Sequence, residues 1–222
     1  MLYLYQKEAG QPQLTLLGDE HRYIFKVRRH KVDDILYLRN LEDGLLYRYL
    51  ITYIDKRSVN LELQESQILE IKAKAALHIG WCVIDPKNIE KVLPSLNEMG
   101  VEKITFIYCS RSQKSFKPDF KRWEKILLNS SQQSGRSMMM ELHIAESLET
   151  FIAENPQSHL LNFSEQTLSS QSSIDTIVVG CEGGITEEEV ALFSPERVVG
   201  FDTPLVLKSE SAVCAVAAKV LL

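Results

Sequence analysis

The pattern of apolar and polar positions in the first seventy residues predicts short β-strands. Apolar, β-branched and aromatic residues fill three runs, at residues 35–38, 45–54 and 59–63. Turn-forming residues separate them at residues 41–44 and 55–58. Short strands at this spacing are typical of a small barrel or meander. We therefore expect residues 1–70 to form a small β-rich domain.

From residue 71 onward, apolar runs of strand type alternate with helical patterns. The predicted strands are residues 77–84, 104–109, 142–145, 159–163, 174–180 and 197–201. The first helix starts at Asp85-Pro86 and ends at Gly100, and the second contains Trp123 and closes at Gly135. Further helices are predicted at residues 148–154, 186–192 and 209–222. Strands that alternate with helices indicate a parallel sheet covered on both faces, so residues 71–222 are expected to form an α/β domain.

Composition places the chain among ordinary globular proteins. Of its 222 residues, 45% are hydrophobic and 25% charged, and no run approaches the length of a membrane span. The N-terminus lacks the features of a signal peptide, and we expect a cytoplasmic protein without a membrane partner. No C-x-x-C pair occurs, so no metal site is expected. Cys82 and Cys109 are expected to be small core residues in a reducing compartment.

The net charge of −5 hides an uneven distribution. Residues 71–136 carry twelve basic and six acidic side chains, whereas residues 137–222 carry three and thirteen. The run from His21 to Lys31 holds five basic side chains, two histidines and no acid, interleaved with Tyr23 and Phe25. Such a run is either a solvated face or a nucleic-acid surface, where basic side chains bind phosphates and aromatic rings stack on bases.

A glycine-rich turn follows the apolar run at residues 174–179. Gly180, Gly183 and Gly184 lie in this turn, and glycine lets a ligand press against the backbone. A tight turn with nothing bound is the alternative interpretation. The chain has no G-x-G-x-x-G after a strand, no P-loop and no G-x-S-x-G elbow. The serine-rich segment 164–173 is predicted to be a loop beside a ligand crevice.

Three other features allow both a structural and a functional interpretation. Arg111 follows a predicted strand, where ligand-binding loops of α/β sheets lie, but it could belong to an ordinary surface loop. Arg136 follows a helix end and could orient a phosphate or carbonyl oxygen, or simply be solvated. Lys208 and Glu210 open the last helix, where Ser209 could serve as an N-cap and Glu210 as a first-turn acid.

Taken together, these pieces resemble the RsmE family of SPOUT-class methyltransferases over nearly the whole chain. The matching pieces are His21 with Val27-Arg28, residues 97–101, Arg111-Ser112, residues 133–136, residues 180–184 with Glu189, and residues 207–212. Their order and spacing are more specific than any single piece.

The resemblance implies fold, activity and partners. Family members use S-adenosylmethionine to methylate N3 of a uridine in small-subunit (16S) ribosomal RNA. The implied fold is a PUA-like β-barrel followed by an α/β domain with a C-terminal trefoil knot, a rare feature in proteins. The implied partners are this RNA or the 30S particle and a second copy of the chain. The implied domains are residues 1–70 and 71–222.

The resemblance also implies three sets of site residues. The cofactor would lie against loops whose residues are Leu161, Asn162, Phe163, Gly180, Glu182, Gly183, Gly184, Val206, Leu207 and Ser211. Arg136, with Lys208 as second candidate, would stabilise the uridine anion, and Glu210 is the candidate general base. RNA would be held by Arg22, Lys26, Arg28, Arg29 and Arg111.

This chain departs from the family pattern at several of these positions. Cys181 stands where the family usually has proline, Lys208 where it has arginine, and Ser211 where it has threonine. Thr203 and Leu205 occupy positions that are commonly glycine and arginine. Lysine keeps the charge of arginine but loses the planar fork. Two alternative functions therefore remain: methylation of another RNA such as transfer RNA, and a non-catalytic RNA-binding factor in ribosome assembly. A generic nucleotide-binding α/β protein would lack the N-terminal unit.

Overall fold

The computed structural model describes residues 2–113, 115–169 and 173–222. The chain divides into two compact units. The first is Met1–Lys72 with Ser131–Met138, and the second is Ala73–Ser130 with Met139–Leu222. Residues 131–138 thus belong to the first unit, although they are far from it in sequence.

The first unit is built on a five-stranded sheet of order β1-β3-β4-β5-β2. Its strands are β1 Leu4–Tyr5, β2 Gln13–Leu17, β3 Ile35–Arg39, β4 Leu45–Ile54 and β5 Ser58–Ile68. β3, β4, β5 and β2 pair antiparallel, and β1 pairs parallel with β3. The three predicted strands are confirmed. Alternate residues Tyr47, Tyr49 and Ile51 of β4 are buried, as a sheet with one face on the core requires.

The basic run of the first unit is helical. α1 spans Gly18–Arg22 and continues as a π-helical turn, Tyr23–Val27. Ile24 is buried on its inner side. Nothing in the apolar pattern of the sequence predicts this turn.

The second unit holds a six-stranded sheet of order β11-β9-β10-β6-β7-β8. Its strands are β6 His78–Cys82, β7 Lys103–Ile107, β8 Glu141–Ala145, β9 His159–Leu161, β10 Thr176–Val179 and β11 Val198–Val199. All its neighbouring strands run parallel, as predicted. Four successive residues of β7, Ile104 to Ile107, are buried, so both faces of the sheet are covered.

The helices between these strands also follow the prediction. They are α2 Pro86–Met99, α3 Phe120–Ser134, α4 Leu148–Glu154, α5 Glu187–Val190 and α6 Ser209–Leu221, with a 3₁₀ turn at Pro195–Arg197. Asp85 caps α2 by accepting the backbone N–H of Lys87, and Gly100 ends it with a φ of 99°. Gly135 follows α3 with a φ of 86°. Local capping chemistry therefore fixed these ends.

The prediction for Cys82 and Cys109 is confirmed for their place in the core, where Cys82 is fully buried and Cys109 packs against it, but it is wrong about their thiols. Cys82 and Cys109 are joined by a disulfide, with a Cα–Cα distance of 5.9 Å, rather than being two separate thiols. Cys82 pairs with Ile107 in the register of β6 and β7, which brings Cys109, two residues further on, beside Cys82. Strand register is not visible in a spacing of 27 residues. Cys181 and Cys214 are free.

The serine-rich segment 164–173 is described only in part, because residues 170–172 lie outside the described residues. Within it, Leu168 is fully buried and Thr167 bridges Gly200. Across the described ranges, no helix combines the length and apolar character that crossing a bilayer requires.

Candidate functional site

A cavity of about 350 Å³ lies in the second unit, where β9, β10 and β11 end and α6 begins. Its walls come from three segments that follow these strands. The lining residues are Leu161, Asn162, Phe163, Ser164, Val179, Gly180, Cys181, Glu182, Gly184, Phe201, Thr203, Leu205, Val206, Leu207, Ser209 and Ala212. Crevices at the carboxyl ends of parallel strands are the usual ligand sites of α/β folds.

The glycine turn after β10 forms one wall of the cavity. Gly184 has a φ of 74°, and its backbone N–H donates to the carbonyl oxygen of Cys181 at 3.0 Å. A Cβ on Gly183 would lie 3.1 Å from Cβ of Arg111. The turn therefore needs glycine at 184 for its backbone conformation and at 183 for close packing.

The guanidinium of Arg111 holds this turn from the loop after β7. Its Nη1 donates to the carbonyl oxygen of Gly183 at 3.0 Å. The side chain of Arg111 is otherwise exposed. Arg111 was predicted to contact RNA, and the structure gives it a contact within the protein as well.

The turn is followed by a capped helix. The Thr186 hydroxyl accepts the backbone N–H of Glu189, and the Glu189 carboxylate accepts the backbone N–H of Thr186. Burial raises the pKa of Glu189, but hydrogen bonds from backbone N–H groups outweigh burial and hold the pKa below its ordinary value. Burial raises the pKa of the neighbouring Cys181 thiol, so Cys181 lines the cavity as a neutral group.

The third segment leads into α6. The Ser209 hydroxyl, on the first residue of α6, donates to the carbonyl oxygen of Gly180 at 2.6 Å. Three apolar side chains of the cavity, Phe163, Leu205 and Val206, stand at its rim with more than 70% of their surface exposed.

Most of the predicted cofactor-binding residues meet at this cavity. Eight of them line it, whereas Gly183 packs on Arg111 and Ser211 is exposed on α6. Sequence reasoning missed Ser209, although it lies inside the matched motif at residues 207–212. The sequence suggested Ser209 only as the N-cap of the last helix, whereas in the structure Lys208 is the N-cap residue and Ser209 is the first residue of α6.

The predicted catalytic residues fall in two places. Lys208 is the exposed N-cap residue of α6, and Glu210 lies in its first turn. Within the described part of the chain, Glu210 Oε2 is buried and has no hydrogen-bond partner. Arg136 belongs to the first unit, is 9% exposed, and its carbonyl oxygen accepts the Tyr3 hydroxyl at 2.7 Å.

The predicted RNA-binding residues of the first unit are exposed. They are Arg22, Lys26, Arg28 and Arg29. Arg28 lies over the ring of Tyr23, and its Nε donates to the Tyr23 hydroxyl at 2.6 Å. His21 is buried, and its ring stacks on that of Phe25 with 5.6 Å between the ring centroids. Four exposed cations thus lie within residues 22–29, in the π-helical turn and on either side of it.

Two further depressions lie in the second unit. A larger one, of about 640 Å³, runs between α3 and the edge strand β8, with walls that are mainly apolar. A polar one, of about 360 Å³, shares Cys181 and Glu182 with the candidate site. The polar depression is walled by the loops after β6, β7 and β10. We place the candidate site in the cavity of about 350 Å³, because eight of the ten predicted cofactor-binding residues line it, whereas only Glu182 and Gly183 line the polar depression. No cluster of three metal-ligating side chains occurs among the residues that the structure describes.

The chain matches two families of domains. Residues 72–221 match the RNA methyltransferase domain, and residues 16–64 match the RNA methyltransferase PUA domain. The first match contains the whole cavity, and the second contains the basic run.

Related proteins match over nearly the full length. The chain is 36% identical to Ribosomal RNA small subunit methyltransferase E of Helicobacter pylori over 98% of both chains. The fold is similar to Ribosomal RNA small subunit methyltransferase E from Neisseria gonorrhoeae bound to S-adenosyl methionine, with a TM-score of 0.79, 18% identity and coverage of 98% and 95%. It is also similar to a methyltransferase from Legionella pneumophila in complex with SAM, with a TM-score of 0.76, 23% identity and coverage of 98% and 94%. Full-length similarity and both domain matches lead to one conclusion: the chain belongs to the ribosomal RNA small subunit methyltransferase E family.

Proposed function

We propose that the protein uses S-adenosylmethionine to methylate N3 of a uridine in small-subunit (16S) ribosomal RNA. The observation that carries this proposal is the cavity of about 350 Å³ at the glycine turn, inside the methyltransferase domain. Two proteins of similar fold are solved with this cofactor, and the Helicobacter pylori relative is a small-subunit methyltransferase.

The residues of the cavity fit the cofactor. Its volume falls in the range of about 300–1,000 Å³ that is usual for small-ligand sites. Leu161, Val206 and Leu207 offer apolar surface to an adenine ring, and the backbone of Gly180 to Gly184 offers amide and carbonyl groups to polar edges. We assign cofactor binding to the ten residues that the family resemblance implies. Eight of these residues line the cavity, and Gly183 and Ser211 lie outside its lining.

The cofactor supplies a methyl group activated by a positively charged sulfur. The protein must remove the N3 proton of uridine, because protonated N3 is a poor nucleophile. Glu210 is our candidate for this step, since its buried Oε2 has no partner among the described residues. A cation beside the uridine carbonyl oxygens would stabilise the anion, and we assign this role to Arg136 first and Lys208 second.

The basic surface of the first unit would hold the RNA. Arg22 and Lys26 are exposed on the helical segment Gly18–Val27, Arg28 is exposed at its C-cap, and Arg29 is exposed just beyond it with a φ of 58°. Phosphate contacts of this kind give affinity without sequence specificity. Arg111 would add a contact near the cavity. Because uridine N3 is engaged in base pairs, the target must be unpaired or flipped out.

Two further properties belong to the proposal. The exposed apolar rim of Phe163, Leu205 and Val206 is the kind of patch that a second subunit covers, and we propose a homodimer. The contact of Ser209 with Gly180 brings the start of α6 to the glycine turn, and we propose that this end of the chain is knotted as a trefoil. With ribosomal RNA as substrate, the protein would act in the cytoplasm.

Methyl transfer to purified RNAs tests the proposal. The protein is incubated with labelled S-adenosylmethionine and with naked 30S subunits, free 16S RNA or transfer RNA. We expect label in 3-methyluridine of the 30S subunit or its RNA. Label in transfer RNA alone would favour a different substrate, and RNA binding without transfer would favour a non-catalytic assembly factor.

A further inference from the structure

Ser209 stands between two buried groups from distant parts of the second unit. Its hydroxyl accepts the indole N–H of Trp81 at 2.8 Å and donates to the carbonyl oxygen of Gly180 at 2.6 Å. Trp81 is fully buried in β6, and Ser209 is 5% exposed. The two hydrogen bonds join the centre of the sheet, the glycine turn and the start of α6.

The direction of these bonds is fixed by the chemistry of the three groups. An indole nitrogen only donates, and a carbonyl oxygen only accepts. The Ser209 hydroxyl must therefore turn its proton toward Gly180, while the Trp81 N–H occupies one of its two lone pairs. A hydroxyl with both functions engaged cannot rotate without leaving a buried group unpaired, and an unpaired buried group is costly.

We propose that Ser209 is a positioning residue of the cofactor site, held in its orientation by Trp81. The inference rests on the proposed function, since it concerns how the same cavity keeps its shape. Gly180 opens the glycine turn, and Leu207 of the third segment lies two residues before Ser209. A single hydroxyl thus sets the separation of two of the three walls.

The role predicts a specific loss in binding. Replacing Ser209 by alanine leaves both the Trp81 N–H and the Gly180 carbonyl without a partner and frees the two walls to move apart. We expect the dissociation constant for S-adenosylmethionine to rise about tenfold, the effect of losing one good hydrogen bond. In turnover, KM for the cofactor should rise by a similar factor, while kcat at saturating cofactor stays within about twofold of wild type.

Two conservative variants separate positioning from general stability. Ser209→Thr keeps the hydroxyl and should bind within about twofold of wild type. Trp81→Phe keeps an aromatic ring but removes the donor that orients the hydroxyl, and should weaken binding by a smaller factor than Ser209→Ala. Both remain informative if Ser209→Ala fails to fold.

The chain offers matched controls for each change. Ser130 is also 5% exposed, accepts the side-chain amide of Asn97 at 3.2 Å and donates to the carbonyl oxygen of Pro94 at 3.1 Å. Trp123 is fully buried and donates its indole N–H to Glu90 at 3.2 Å. Ser130→Ala and Trp123→Phe should lower the melting temperature as their counterparts do and leave cofactor affinity unchanged.

Isothermal titration calorimetry with S-adenosylmethionine on wild type and all five variants tests the inference. The melting temperature of each protein is measured in parallel. A rise in Kd confined to Ser209→Ala and Trp81→Phe supports the inference. If Ser209→Ala binds the cofactor as tightly as wild type does, the inference is wrong. The inference is also wrong if Ser209→Ala and Ser130→Ala lose equal affinity. Neither result contradicts the proposed function. No binding by the wild-type protein overturns the proposed function and the inference with it.

Discussion

The backbone N–H of Ser110 donates to the buried carboxylate of Glu189 at 2.7 Å. Ser110 lies on the loop after β7, and Glu189 lies on α5, just beyond the glycine turn. The same carboxylate accepts the backbone N–H of Thr186 at 2.9 Å. One side chain therefore fastens two loops at the carboxyl edge of the sheet, beside the candidate cofactor cavity.

Removal of this carboxylate should destabilise the protein. Glu189→Ala leaves two backbone N–H groups without acceptors, and we expect a loss of about 2 kcal/mol in the free energy of unfolding. Glu189→Gln keeps one acceptor oxygen and should lose less. Urea denaturation measures both, and Glu187→Ala, at an exposed position of the same helix, is the control. Equal stability of Glu189→Ala and Glu187→Ala would show that the contact is unimportant.

His78 should make stability depend on pH. Burial, together with the positive charges of Lys103 and His143, lowers the pKa of His78 to about 4 from an ordinary 6.5. Between pH 6.5 and pH 4 the unfolded chain therefore binds a proton at His78 that the folded protein does not bind. As a result, the contribution of neutral His78 to the free energy of unfolding is complete above pH 6.5 and is lost as the pH falls toward 4. The urea midpoint of wild type should fall more steeply across that window than that of His78→Gln. Parallel curves for the two proteins would contradict the assignment.

Gly184 should be required for cofactor binding but not for folding. Gly184→Val abolishes binding of S-adenosylmethionine in our account, while the protein stays folded. The matched control is Gly44→Val, because Gly44 has a φ of 70°, close to the 74° of Gly184, in a turn of the first unit. A β-branched residue in this conformation costs roughly 1–2 kcal/mol at either site. Calorimetry showing unchanged affinity in Gly184→Val would refute the prediction.

Arg28 and Arg29, which directly follow the π-helical turn, should govern the salt dependence of RNA binding. Neutralising Arg28 and Arg29 together removes two candidate phosphate contacts, so the slope of log affinity against log salt should fall by about 2. Filter binding to small-subunit RNA at several salt concentrations measures this slope. Lys7→Gln, at another exposed position of the first unit, should leave it unchanged. Identical slopes for the double variant and wild type would remove this surface from the RNA site.

Arg136 should matter for turnover rather than for cofactor binding. Arg136→Ala removes the proposed stabilising cation, and kcat should fall by about 10²-fold or more while the Kd for S-adenosylmethionine is unchanged. Because Arg136 is largely buried, Arg136→Lys is the second variant, and its melting temperature is measured first. Near-normal turnover in a folded variant with bound cofactor would exclude Arg136 from the reaction.

The sequence predicts those parts of the fold whose causes are local. The cap at Asp85, the end at Gly100 and the stripe of Ile89, Leu93 and Leu96 lie within one helix, so α2 could be predicted with both ends. The alternation of strands and helices can also be read from local patterns, and it predicted the parallel sheet. β1, with two residues, is too short to show any period.

Long-range contacts could not be predicted in this way. The disulfide of Cys82 with Cys109 depends on the register of β6 against β7, which apolar patterns do not specify. The role of Ser209 depends on Trp81, 128 positions earlier in the chain. In the candidate site, the glycines and their neighbours were found because residue type alone restricts their conformation, whereas Ser209 could be singled out only from its partners.

Nucleoside mass spectrometry of ribosomal RNA from cells with and without this protein tests the central claim most directly. We predict that 3-methyluridine disappears from small-subunit RNA when the gene is deleted, and returns when the wild-type chain, but not Gly184→Val, is supplied. Unchanged 3-methyluridine in the deletion strain, or a loss confined to transfer RNA, would contradict the claim.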